Sequence, residues 1–205
     1  MTFHWNLGEC HEQLHQHKDA LISYMDSLEN ARKIPGQDIN QALLMMNVGF
    51  FFNILGDFGT AEAFLKPSCE ILQNIGSSQD IFHCLLSLAS CYQYQGHYEK
   101  SIEIHKQSLE ILEPNDDTIG KKLIGDAYNN MANTYHLLKD YESALNFYQK
   151  SLEKNKEILS ATHPSLAATF LNIGNIHYEN GNLNLALSHY KGPLSNLRAA
   201  KRSMR

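Results

Sequence analysis

Tyr128 to Leu152, YNNMANTYHLLKDYESALNFYQKSL, decides the fold. Met131, Ala132 and Tyr135 recur at helical spacing, so they share one face of a first helix. Lys139 and Asp140 make a turn. Tyr141, Ala144, Leu145, Tyr148 and Leu152 then form the apolar stripe of a second helix. Ala132 and Ala144 are small where two helix axes must approach, and Tyr135 and Tyr148 are large where the space beside that contact must be filled.

The same pattern occurs four more times. The small residue of the first helix is Gly8, Gly49, Ala89, Ala132 and Gly174, at intervals of 41, 40, 43 and 42 residues. A second small residue follows as Ala20, Ala61, Ser101, Ala144 and Ala186. A ring stands three places after each first small residue, as His11, Phe52, Tyr92, Tyr135 and His177. The turn is followed by His17, Phe58, Tyr98, Tyr141 or Leu183, and Ser27, Ser68, Ser108 and Ser151 share a further slot. Self-similarity at this period is the mark of a solenoid of stacked helix pairs.

The order small, aromatic, turn, aromatic, small, aromatic resembles the tetratricopeptide repeat, whose usual period is ~34 residues. The longer unit resembles the variant of kinesin light chains and of the G-protein-signalling-modulator scaffolds. Thr162-His163-Pro164-Ser165-Leu166-Ala167 is similar to the kinesin light chain inter-repeat phrase. The resemblance covers nearly the whole chain. It implies an all-α, right-handed superhelical solenoid of about five antiparallel helix pairs. The expected repeats are 1–34, 39–76, 79–114, 118–160 and 162–198, a single solenoid over 1–198 followed by a basic tail, 199–205.

Composition agrees with a folded chain. Hydrophobic residues make up 43% and charged residues 19% of the sequence, which excludes a disordered polyelectrolyte. A net charge of −5 argues against a nucleic-acid partner. No apolar run approaches the ~20 residues that span a bilayer, and no signal peptide opens the chain. A cytoplasmic location is therefore expected, with no membrane partner. Cys10, Cys69, Cys84 and Cys91 form no C-x-x-C, and Cys10 and Cys91 share a slot with Phe51 and Ile176, so all four read as structural thiols of a reducing compartment.

Lys33 to Asp38 is a Pro-Gly linker. Ser78 or Asp80 is expected to cap the third unit's first helix, Asp116 or Asp117 the fourth and Thr162 the fifth. Gly192-Pro193 should kink or stop the last helix near Lys191, as the one interior proline. Trp5 lies near the start, so either it caps the solenoid or the chain is a fragment of a longer array.

The resemblance implies a concave face lined by the first helix of each pair. Packing assigns the core slots, which leaves two groove slots three residues apart. Asn6, Asn47, Ser87, Asn130 and Asn172 occupy one; Glu9, Phe50, Ser90, Asn133 and Asn175 occupy the other. Asn is a mediocre helix former, so its recurrence in mid-helix calls for a cause. A carboxamide both donates and accepts, so a row of them can pair with the N–H and C=O of an extended peptide. The resemblance to Asn-lined grooves supports this reading. The competing one has the asparagines bonding neighbouring repeats to hold the superhelix. Glu12, Asn53, Gln93, His136 and Tyr178 stand beside the ladder as side-chain pocket candidates. The stripe holds no Lys or Arg, unlike tetratricopeptide domains that clamp a C-terminal carboxylate.

The leading function is a protein-interaction scaffold or adaptor binding an extended or partly helical peptide, with no cofactor and no catalysis. The chain is expected to be a monomer or part of a larger assembly. One alternative is an architectural segment of a larger protein. Another is a zinc hydrolase, since His11-Glu12-Gln13-Leu14-His15 matches H-E-x-x-H. His11, however, fills the slot of Phe52, Tyr92 and Tyr135, and no third ligand follows, so packing explains it.

Overall fold

The computed structural model describes residues 17–112 and 118–192. Asn6, Gly8, Cys10, the His11-to-His15 motif, the Asp116 and Asp117 caps and the basic tail lie outside the described residues. Every described element is an α-helix. The backbone divides into two compact units, Met1–Ile111 and Leu112–Arg205. The first contains α1 (His17–Arg32), α2 (Asp38–Leu55), α3 (Phe58–Ile75), α4 (Ser78–Tyr94) and α5 (Tyr98–Leu112). The second contains α6 (Thr118–Leu137), α7 (Tyr141–Ile158), α8 (Pro164–Glu179) and a last stretch, α9, helical over 183–192. α9 stays helical through Lys191 and Gly192, and Pro193, on which the expected break rests, lies outside the described residues.

One turn recurs between the helices of each pair, and its chemistry is local. The left-handed residue is Gly56, Gly96, Lys139 or Gly181, with φ of 81°, 79°, 61° and 75°. The next N–H donates back to the carbonyl of the recurring ring residue: Asp57 to Phe52, His97 to Tyr92, Asp140 to Tyr135, Asn182 to His177, at 2.8–3.0 Å. This satisfies carbonyls that the helix end leaves orphaned. Asp57 and Asp140 then cap the following helix, their carboxylates accepting from the Thr60 and Ser143 N–H.

Two expected caps shift by one residue. Ser77 caps α4, with Asp80 completing a capping box three residues on. His163 caps α8, its Nδ1 accepting from the Ser165 N–H, with Pro164 at the first helical position. Pro67 sits inside α3 without ending it, an interior proline beyond the one expected.

Within each unit, neighbouring helices pack through the recurring slots. Ala61, Ala89, Ala132 and Ala144 are fully buried. A Cβ on Gly49 would lie 2.6 Å from Leu65 Cγ, and one on Gly174 would meet the Tyr190 ring, so the slot excludes larger side chains. Beside the close contact lies a ring stack, formed by Phe52 with Phe64, Tyr135 with Phe147 and His177 with His189. The repeated serine takes two forms: Ser27 and Ser108 donate within their own helices, to the Ser23 and His105 carbonyls, whereas Ser68 and Ser151 tie the two helices of a pair. Ser68 Oγ donates to the Ala42 carbonyl at 2.6 Å, and Ser151 Oγ to the Gly125 carbonyl at 2.8 Å, each 26 residues upstream.

The cysteines depart from the sequence expectation. Cys69 on α3 and Cys84 on α4 are joined in a disulfide, with Cα atoms 5.7 Å apart. The α3–α4 packing places two residues 15 apart in the chain within bridging distance. Cys91 is a buried thiol, and burial pushes it up to about 11.

Candidate functional site

In the second unit, α6 and α8 are the first helices of their pairs, and four of the expected asparagines stand on them. Asn133 and Asn172 come together across the two helices: the Asn172 Nδ2 donates to Asn133 Oδ1 at 3.2 Å. The same oxygen accepts from the Tyr148 hydroxyl on α7 at 2.5 Å. Burial pushes the Tyr148 phenol up, so it stays a donor throughout the ordinary pH range. Asn175 repeats the arrangement one helix pair later, its Oδ1 accepting from the Tyr190 hydroxyl at 2.8 Å. Asn130 is half-buried, and its side chain makes no hydrogen bond among the described residues.

His136 and Tyr178 are not brought together. His136 Nε2 lies 3.0 Å from Glu179 Oε2, which also accepts from the Tyr141 hydroxyl at 3.0 Å. The His136 contact, with Tyr141 assisting, holds the Glu179 carboxyl below the usual carboxylate range. Tyr178 is 62% exposed. On α6, one turn and more before Asn130, Asp126 is held above the usual carboxylate range by burial.

The first unit is different. Asn47, Ser87 and Ser90 are half-buried, and the Ser87 hydroxyl turns back to the His83 carbonyl at 3.0 Å. Asn53, expected to flank the ladder as a pocket group, is buried instead. Its Nδ2 ties α2 to α4 through the Ser87 carbonyl at 2.9 Å, so it is unavailable to a ligand. Exposed apolar side chains stand on this unit's first helices: Phe50, Ile54 and Tyr94. The zinc-like motif lies outside the described residues.

Sequence reading missed the tyrosines. Tyr148 reads as a core ring and Tyr190 is not singled out, yet both hydroxyls reach an asparagine of the paired helix. A signal was present: the slot holding Tyr148 and Tyr190 beside Asn133 and Asn175 holds Leu65 and His105 beside Phe50 and Ser90. Polar pairs with polar, apolar with apolar.

A tetratricopeptide-repeat profile matches residues 38–113 and 123–191, across both units. The chain belongs to the tetratricopeptide-repeat family. Nearly identical TPR-like repeats from a Podosopora anserina kinesin light chain superpose with a TM-score of 0.79 at 15% identity, covering 98% of this chain and 96% of that one. A Rap protein complexed with Competence and Sporulation Factor gives 0.79 at 15% identity, over 98% of this chain and 55% of that one. NprR in complex with its cognate peptide NprX gives 0.70 at 19% identity, over 93% and 53%. At these identities the likeness is one of fold: an all-α helical repeat solenoid.

Among curated proteins, this tetratricopeptide chain is 22% identical over 177 residues to response regulator aspartate phosphatase J of Bacillus subtilis. It is 28% identical over 159 residues to RNA polymerase-associated protein CTR9 of Saccharomyces cerevisiae. The matches cover 71% and 76% of this chain but 47% and 14% of those proteins. No helix among the described residues is long and apolar enough to cross a membrane.

Proposed function

We propose that this chain is a protein-interaction scaffold whose first-helix faces hold an extended or partly helical peptide, and that it carries out no catalysis of its own. The observation that carries the reading is the set of partly exposed carboxamides on α6 and α8: Asn130, Asn133, Asn172 and Asn175. They recur at equivalent places of two successive repeats, and none is fully consumed by internal bonds. A row of amides gives many modest contacts to a main chain, which is how an extended peptide is held without strong side-chain selection. Two structures of like fold are complexes, a Rap protein with Competence and Sporulation Factor and NprR with its cognate peptide NprX.

The test begins with an unbiased library of displayed dodecapeptides panned against the purified chain. A recovered sequence is resynthesised and its affinity measured by fluorescence anisotropy. Asn130→Ala combined with Asn172→Ala should weaken binding by roughly tenfold or more, the equivalent of one to two hydrogen bonds. Far-UV circular dichroism should not change. Unchanged affinity in the double variant would make the amides purely structural.

A second reading, an architectural segment of a larger protein, is favoured by the small share of the curated relatives that this chain spans. It predicts that panning recovers no peptide. We keep a cytoplasmic location as part of the proposal, against the Cys69–Cys84 bridge, which is the form that an oxidising compartment favours. Alkylating thiols in intact cells checks it: a reducing compartment leaves Cys69 and Cys84 as thiols, an oxidising one leaves them bridged.

A further inference from the structure

We propose that Tyr148 is a positioning residue that sets the direction of the Asn133 and Asn172 amides, so that they offer a peptide main chain one defined donor and one defined acceptor. The inference rests on the peptide reading above and adds to it the polarity of recognition and the group that imposes it.

An asparagine side chain has two opposite orientations that differ only in which end is oxygen. In an exposed carboxamide both are populated, and a ladder of such groups would have no fixed pattern. Here the pattern is fixed from inside. Tyr148 is fully buried, and its hydroxyl emerges from the α6–α7 core at 2.5 Å from Asn133 Oδ1. Asn172 Nδ2 reaches the same oxygen at 3.2 Å. Two donors occupy the two lone pairs of that oxygen, so the Asn133 oxygen is committed inward and its Nδ2 is left to the ligand side. The same bond turns the nitrogen end of Asn172 towards Asn133 and spends one of its N–H groups, and its Oδ1 is the acceptor left over.

The outcome is complementary. Asn133 presents N–H donors and Asn172 presents a carbonyl acceptor, on adjacent helices of one unit. A peptide main chain offers the converse, a C=O and an N–H on each residue. The same device occurs a second time, where the Tyr190 hydroxyl at 2.8 Å commits the oxygen of Asn175 and leaves its nitrogen. In the first unit the equivalent pairs are Leu65 with Phe50 and His105 with Ser90. Main-chain reading is therefore assigned to the second unit.

Tyr148→Phe removes the hydroxyl and keeps the ring. The probe is N-acetyl-tetraalanine amide, a main chain with minimal side chains, titrated at millimolar concentration into 15N-labelled protein. In the wild type, the side-chain amide resonances of Asn133 should shift on titration. In Tyr148→Phe those resonances should move before any probe is added, and the probe affinity should fall roughly tenfold, one hydrogen bond's worth of organisation. Backbone resonances away from α6–α8 should be superimposable, which a general loss of structure would not give. Should Tyr148→Phe not fold, Tyr190→Phe with Asn175 as reporter serves the same purpose on the second copy.

Two results overturn the inference separately. If Tyr148→Phe binds the probe as the wild type does while Asn130→Ala with Asn172→Ala does not, peptide binding stands and positioning by Tyr148 falls. If the probe perturbs no side-chain amide of α6 or α8 in the wild type, and the dodecapeptide binds elsewhere, the proposed groove falls and the positioning role with it.

Discussion

Acid should weaken this protein through His105. The side chain is fully buried on α5, and neither ring nitrogen has a hydrogen-bond partner among the described residues. Burial alone pushes it down to about 4, with no charged neighbour contributing. The folded state therefore disfavours the imidazolium, whereas the unfolded chain binds a proton near the ordinary value of about 6.5. The unfolded state binds more protons across this window, so stability rises with pH through it and is lost as pH falls from about 6.5 towards 4. At about 1.4 kcal/mol for each unit, the full loss is about 3 kcal/mol, of which about 2 kcal/mol has gone by about pH 5. The assay is urea denaturation at pH 7 and pH 5, for the wild type and for His105→Leu, which installs the residue that Leu65 places in the same slot one repeat earlier. His189 and His83 also sit low through burial, so the wild-type change alone does not isolate His105. The difference between the two proteins does. His105→Leu should be at least as stable as the wild type at pH 7, because it removes two unsatisfied buried nitrogens. It should lose about 2 kcal/mol less on going to pH 5. Equal losses in the two proteins would refute the assignment.

Two further outcomes follow from local geometry. Lys139 holds φ at 61° where the equivalent turns use Gly56, Gly96 and Gly181; Lys139→Gly should raise stability by about 1 kcal/mol in chemical denaturation, relieving the left-handed penalty of a side-chain-bearing residue. A loss of stability would show that the Lys139 side chain contributes more than its backbone costs. The Cys69–Cys84 bridge closes a sequence separation of 15 residues, which is worth about 3 kcal/mol by chain entropy. Refolding under reductant should therefore lower Tm by roughly 10 °C. An identical melt, together with a non-reducing peptide map lacking the crosslinked pair, would remove the bridge from the description.

The features that were legible in the sequence are those fixed by spacing along one helix or one turn. Ala132 and Ala144 announce their contact because only small residues fit there, and Lys139-Asp140 announces a turn. The recurring serine was visible as a slot, but that Ser68 and Ser151 reach a carbonyl 26 residues upstream, while Ser27 and Ser108 bond within their own helices, depends on the register between two helices. The disulfide was hidden for the same reason: nothing in the spacing of Cys69 and Cys84 says that α3 and α4 face each other there. Tyr148 was legible as a filler of space, while the direction of its hydroxyl was not. Pro67 went unread because its slot carries no repeat consensus and the surrounding core of α3, with Leu65, Ser68 and Cys69 buried, keeps the helix intact around it.

The serine tie has a consequence for how such chains grow. Because donor and acceptor both lie within one helix pair, as Ser68 with Ala42 and Ser151 with Gly125, a duplicated segment brings its own fastening with it. Lengthening by gene duplication then demands no simultaneous invention of a matching surface. The copies are left at liberty to diverge on their outer faces, as the asparagines of one unit and the phenylalanine of the other have done.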